Sequence, residues 1–176
     1  MPNETFNTVE GQQIQREMLL ALLNVGTYAS PTWAAIGSTV TDSAMSYDWG
    51  EETNQDILGV TRTTLKKPTV TQDFDGVRLY KGDAAYEQIW VQGVKNQDPA
   101  ALSDRDMLIV HLYAGVSATP FAERYPSSAI HPNSIGGDGG GFIEMPFSAT
   151  YGGVRETGTV AKDPETGAYT FTRDSE

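Results

Sequence analysis

Ile135-Gly136-Gly137-Asp138-Gly139-Gly140-Gly141-Phe142-Ile143-Glu144-Met145-Pro146-Phe147, followed by Ser148-Ala149-Thr150-Tyr151-Gly152-Gly153-Val154-Arg155-Glu156-Thr157-Gly158-Thr159-Val160, is the stretch on which the fold turns. A glycine cluster ends, and alternating apolar and polar residues begin at once. Such alternation places every other side chain on one face of a strand. Residues 142–151 and 154–160 therefore read as two strands joined across Gly152-Gly153. The glycines invite comparison with a phosphate-binding loop. That loop needs a lysine and a Ser/Thr where Phe142 and Ile143 stand, and a helix where a strand follows. The expected role of Gly136, Gly137, Asp138, Gly139 and Gly140 is a sharp turn, or a close approach to another segment that only glycine permits.

The same reading extends outward. Asp163-Pro164-Glu165-Thr166-Gly167 is a short hairpin connection, with Pro placed for a type I turn and Gly for the left-handed position. Tyr169 to Thr172 returns as the last strand. Met107-Leu108-Ile109-Val110-His111-Leu112-Tyr113 is almost continuously apolar, which predicts a central strand covered on both faces. Thr119 to Asn133 carries Pro120, Pro126 and Pro132 and reads as an irregular excursion. Asp83 to Lys95 is the best helix: Tyr86, Ile89, Trp90, Gly93 and Val94 follow helical spacing, and Asp83 is a good N-cap. Gly93 would let this helix lie close to a sheet, and Asp98-Pro99 ends it.

The first half is less regular. Residues 14–25 fit a helix, through Ile14, Met18 and Leu22, as well as a buried strand ending at Gly26. Trp33 to Val40 reads as a strand and Asp42 to Asp48 as a second strand or the continuation of one long bent strand, with Trp33, Tyr47 and Trp49 expected in the core. Residues 50–76 are polar and rich in β-branched side chains but have almost no core face. They read as a long connection with nothing of its own to bury. Residues 1–13 are expected to be a flexible arm, and residues 14–176 a single domain.

Composition narrows function. The chain has 176 residues, enough to bury a core, and its 18 glycines and 9 prolines suit strands and turns better than a helical bundle. A net charge of −11 argues against tight nucleic-acid binding, which needs clustered cations. There is no cysteine, so no disulfide, thiolate nucleophile or thiolate-bound metal. His111 and His131 match no metal-binding spacing, and Gly-x-Ser-x-Gly is absent. No enzyme activity, cofactor or metal is expected. The N-terminus, Met1-Pro2-Asn3-Glu4-Thr5, carries no expected secretory signal. The apolar run Met18 to Leu23 is too short to span a bilayer, so no membrane segment is expected.

An ordered set of short motifs resembles bacteriophage major tail proteins, the tail tube subunits, most closely those of phages of Gram-positive bacteria. It comprises Asn24-Val25-Gly26-Thr27, Trp33-Ala34-Ala35-Ile36-Gly37, and the acidic segment from Glu51-Glu52 to Asp56-Ile57-Leu58-Gly59. Gly82-Asp83 opens the helix, and Gly136-Gly137-Asp138, Pro146-Phe147 and Gly158-Thr159 complete the order. The likeness covers most of residues 18–172.

The resemblance implies a mainly β, α+β chain: an antiparallel β-sandwich or barrel flanked by one α-helix at about 83–96. It implies homo-hexameric rings stacked into a tube, built in the host bacterial cytoplasm and placed in the virion tail. The implied partners are a tape-measure protein and tail-tip initiator and terminator proteins, with double-stranded DNA passing through unbound. The loop at about 50–76 would reach the neighbouring ring, with Glu51, Glu52, Asp56, Arg62, Thr64, Lys66, Lys67 and Asp73 as candidate contacts. Asp42, Asp48, Glu144 and Glu156 are candidates for an acidic channel wall that repels phosphates. The alternative is a β-sandwich carbohydrate- or receptor-binding module, which would present Trp33, Tyr47 and Trp49 on a concave surface.

Overall fold

The structure, a computed structural model, describes residues 5–175. Two antiparallel sheets share one strand. The first runs β2 (Trp33–Ile36), β1 (Leu19–Asn24), β7 (Arg105–Val116), β8 (Thr119–Pro132), β10 (Glu156–Lys162) and β11 (Tyr169–Arg173). The second runs β8, β9 (Phe147–Tyr151), β6 (Thr69–Phe74) and β3 (Met45–Asp48). A separate two-stranded hairpin, β4 (Glu52–Gln55) with β5 (Thr61–Thr64), stands apart from both.

The shared strand is the main departure from the sequence reading. Residues 119–132 form one long strand and not an irregular excursion. Arg124 lies opposite both Leu108 of β7 and Glu156 of β10, whereas Ile130 lies opposite Ala149 of β9. Its three prolines sit at the start, at the bend and at the last residue, where a missing N–H costs the ladder least. At the bend the Ser128 hydroxyl donates to the Tyr125 carbonyl at 3.2 Å. β9 and β10 are accordingly not partners across Gly152-Gly153: β9 pairs with β8 and β6, and β10 with β8 and β11. The glycine pair carries the chain from one sheet to the other, directly over the bend. A Cβ on Gly152 would lie 2.3 Å from the Ser127 carbonyl oxygen, and Gly153 has φ +81°.

The apolar run at 107–113 does become the central strand, and its alternation feeds two cores. Met107 and Ile109 join Leu23, Ile130, Phe147 and Tyr86 between the sheets and the helix. Leu108 and Val110 join Leu22, Trp33, Ala122 and Val160 on the opposite face. Burial on both faces explains why this strand shows no polar alternation. Residues 14–25 resolve as a short 3-10 turn at Arg16–Met18 followed by β1, so the helical spacing there was coincidental.

Helix α1 (Ala84–Trp90) continues into a π-helical turn, Val91–Lys95. The Asp83 carboxylate accepts from the backbone N–H of Ala85 and Tyr86, both at 3.1 Å. Ala85, Tyr86 and Ile89 are buried, but Trp90 at the edge of the stripe is half exposed. The π-helical turn brings Gly93 onto β8, where a Cβ would lie 2.6 Å from the Pro132 ring. Asp98-Pro99 ends this helix and also starts a second, short α2 (Pro99–Ser103), capped by Asp98.

Two expectations at the N-terminal side shift. In the segment expected as a flexible arm, Phe6 bridges to Ala114 and the Asn7 N–H donates to the Tyr113 carbonyl at 2.8 Å. Residues 1–4 of that arm lie outside the described residues. Within 50–76, residues 69–74 are an inner strand, with Val70, Gln72 and Phe74 buried, because they supply the ladder between β3 and β9. No helix among the described residues is long and apolar enough to cross a membrane.

Candidate functional site: a projecting hairpin and the two ends of the second sheet

Strands β3 and β6 pair from Met45↔Gln72 to Asp48↔Thr69. The ladder then leaves the second sheet. The Lys66 N–H donates to the Trp49 carbonyl at 2.8 Å, and β4 and β5 continue from Glu52↔Thr64 to Gln55↔Thr61. All eight residues of β4 and β5 are exposed. At about 3.4 Å per residue, the eight steps from Asp48 to Asp56 carry the chain up to about 27 Å along the arm. This is a formed hairpin, and its polar, β-branched composition is why it reads as a loop. Its side chains pair across the arm, as Thr53 and Thr63 do at 3.2 Å.

The tip is built by Asp56. Its carboxylate accepts from the N–H of Leu58 and Val60, and its carbonyl from Gly59. Ile57 and Leu58 are therefore held outward, at 102% and 83% exposure. Two large aliphatic side chains on a formed turn with nothing to cover them are the strongest sign of a contact surface here. The charge-based reading of 50–76 passed over them. The available signal was three apolar residues, Ile57, Leu58 and Val60, inside a polar stretch.

Of the eight residues expected to make contacts, Glu51, Glu52, Asp56, Arg62, Thr64, Lys66 and Lys67 lie on this arm or its base. Lys66 pairs with Glu52, and Arg62 lies 3.8 Å from Asp56. Asp73 does not belong with them. It sits in β6 and accepts from the Ser148 hydroxyl of β9 at 2.5 Å.

A cavity of about 460 Å³ opens at the base of the arm, lined by Tyr47, Trp49, Lys67, Tyr125, Tyr151 and Arg155 around Glu123. Tyr47 and Trp49 are half exposed and stacked, with centroids 6.5 Å apart, so they rim this opening and are not core. Trp33 is buried, as expected. Glu123 is the buried hub. It accepts from Arg155 Nε at 3.0 Å and from the Tyr125 hydroxyl at 3.2 Å, and its Oε2 lies 3.7 Å from His111 Nε2. Burial pushes its carboxyl up, but His111 and Arg155 outweigh burial and hold its pKa at about 2. Burial and Glu123 together raise the Tyr125 phenol.

The opposite end of the second sheet carries an apolar groove. Beyond Phe74 the chain leads through Val77 to Leu79, which with Tyr80, Lys81, Tyr86, Glu87, Trp90 and Val91 lines a depression of about 460 Å³. Tyr80, Trp90 and Val91 are all partly exposed there. Beside it stands the glycine-rich turn. Gly136 and Glu144 exchange backbone hydrogen bonds, and Arg78 lies over the Phe142 ring at 5.1 Å. Only Gly137 of the expected close-packing set is tightly enclosed: a Cβ there would lie 2.1 Å from the Phe142 carbonyl oxygen. Gly136, Gly139 and Gly140 face open space, Gly140 with φ +81°. The Asp138 carbonyl accepts from Gly141, closing the turn.

The four acidic wall candidates sit on four separate elements. Asp42 bridges to Asp75 through the backbone, Asp48 ends β3, Glu144 lies 3.5 Å from Arg78, and Glu156 opens β10 at 3.2 Å from Arg173.

No family model matches the chain, and no curated protein matches it. Solved structures do. A sheath/tube terminator of an extracellular contractile injection system in its extended state is 7% identical, with a TM-score of 0.50, covering 85% of this chain and 99% of that one. A chain of the sheath–tube complex of such a system is 6% identical at TM-score 0.48, covering 86% and 95%. The anti-feeding prophage tube-terminating cap is 8% identical at 0.49, covering 87% and 95%. The likeness to the terminator is one of fold: the chain is mostly antiparallel sheet with one principal helix, arranged as in that protein.

Proposed function

We propose that this chain is the major tail tube subunit of a virion, of the kind found in phages of Gram-positive bacteria. It assembles with copies of itself into stacked hexameric rings around a channel for DNA delivery. One observation carries the reading: the hairpin at 52–64 is fully formed, has both strands exposed, and carries bare Ile57 and Leu58 at its tip. A segment with no core in its own chain gains its burial from another molecule. The net charge of −11 suits a channel through which DNA slides without binding. The terminator-like fold supports the same reading at the level of architecture. In this proposal the partners are further copies of the chain, a tape-measure protein, and tip initiator and terminator proteins. The chain is made in the host cytoplasm and performs no catalysis.

The test is negative-stain electron microscopy of the concentrated protein beside an Ile57→Ser/Leu58→Ser double variant. The wild type is expected to form hollow rings or tubes, and the variant to stay dispersed with an unchanged melting temperature. Tubes formed equally by both would remove the hairpin from the account. A second reading has its own observation, the stacked Tyr47–Trp49 pair above buried Glu123, which suits a glycan-binding module. Saturable binding on a glycan array, with no assembly at any concentration, would favour it.

A further inference from the structure

We infer that the apolar groove beside the helix is the socket for the hairpin tip of a second copy of this chain. The inference rests on the tube reading and adds a residue-level contact to it. Among the exposed apolar surfaces of the described residues, one knob and one hollow match. One is a knob, Ile57 and Leu58, held outward by the hydrogen bonds of Asp56. The other is the groove of Leu79, Tyr80, Trp90 and Val91, whose volume of about 460 Å³ receives side chains of that size. The groove rim carries Lys81, which the docked Asp56 would approach.

Their placement carries the argument further. The arm leaves the second sheet where β6 begins, at Thr69, while the groove lies beyond the residue where β6 ends, at Phe74. The knob and socket thus sit at opposite ends of the same sheet. A knob at one end that fits a socket at the other makes a heterologous contact. Where successive copies share one orientation, as the stacked rings of the tube reading require, such a contact repeats along an axis instead of closing as a two-fold dimer. The chain therefore stacks head to tail, each copy inserting its arm under the helix of the next.

The chain contains no cysteine, so any introduced pair reports cleanly. Leu58→Cys protein is mixed with Val91→Cys protein, assembled, oxidised and run on a non-reducing gel. Glu87→Cys, one helical turn from position 91, serves as a second socket position in case V91C folds poorly. Thr172→Cys, on exposed β11, is the control. A disulfide dimer from L58C with V91C or E87C, absent with T172C, is the expected result, because a disulfide needs Cα atoms within about 7 Å. Tubes that form without this dimer, or with an equal T172C dimer, overturn the socket and leave the tube reading standing. No assembly by wild-type protein overturns both.

Discussion

Arg155→Met isolates the buried charge hub. Methionine keeps an unbranched apolar stem but removes the guanidinium, leaving Glu123 with His111 and the Tyr125 hydroxyl. Holding the Glu123 carboxyl from its ordinary 4.5 down to about 2 corresponds to about 3 kcal/mol at neutral pH. Arg155 and His111 share that amount. The Arg155 side chain is 37% exposed, so solvent screens its part, and about 1–2 kcal/mol is assigned to it. The sign follows from the direction of the shift. A depressed carboxyl contributes fully above its unfolded value of 4.5, and the contribution is lost as pH falls through about 2. Urea unfolding at pH 7 should therefore show the variant about 1–2 kcal/mol less stable, and the gap should close steadily below pH 4.5. Equal stability at pH 7, or a gap that stays constant down to pH 2, would refute the assignment of Glu123 as an ionised hub.

Other substitutions probe the frame. Gly152→Ala sets a methyl 2.3 Å from the Ser127 carbonyl and should cost about 1–3 kcal/mol in chemical denaturation. Gly139→Ala, where a methyl meets nothing, should change stability by less than about 0.5 kcal/mol. Asn24→Ala removes the amide that donates to Asp106 and Thr27 and accepts from Gly26 and Thr32. Leaving two or more of these groups unpaired should cost about 2–4 kcal/mol, read as a lower melting temperature.

How much of this was legible follows from which forces act locally. The helix start was legible because Asp83 caps it two and three residues away. The last hairpin was legible because Asp163 and Gly167 close it within five residues: Gly167 donates to the Asp163 carbonyl and adopts φ +73°. The Asn24 turn was legible as a motif, and its reason is now plain. One buried amide holds Gly26 and Thr32 together, and a Cβ on Gly26 would lie 2.7 Å from the Ser30 carbonyl. The bend of β8 was not legible, because its prolines look like breakers until a partner on each side is known. Glu123 and His111 come from two strands and Arg155 from the connection just before β10, and the three share no spacing. Ile57 and Leu58 were visible only as a motif, since one sequence does not distinguish an apolar pair facing a core from one facing another molecule.

The shared strand has a consequence for synthesis. On a ribosome β8 emerges with β7 already made, but its partner for residues 129–132 arrives only with β9, and the second partner for residues 121–124 only with β10. Until about residue 160 has been translated, two stretches of one strand offer open edges at once. Such edges invite pairing with a neighbouring nascent chain. Local hairpins can form early, but neither sheet is complete before the last fifth of the chain. Prematurely terminated chains should therefore be lost to aggregation, so that only full-length copies survive to be used.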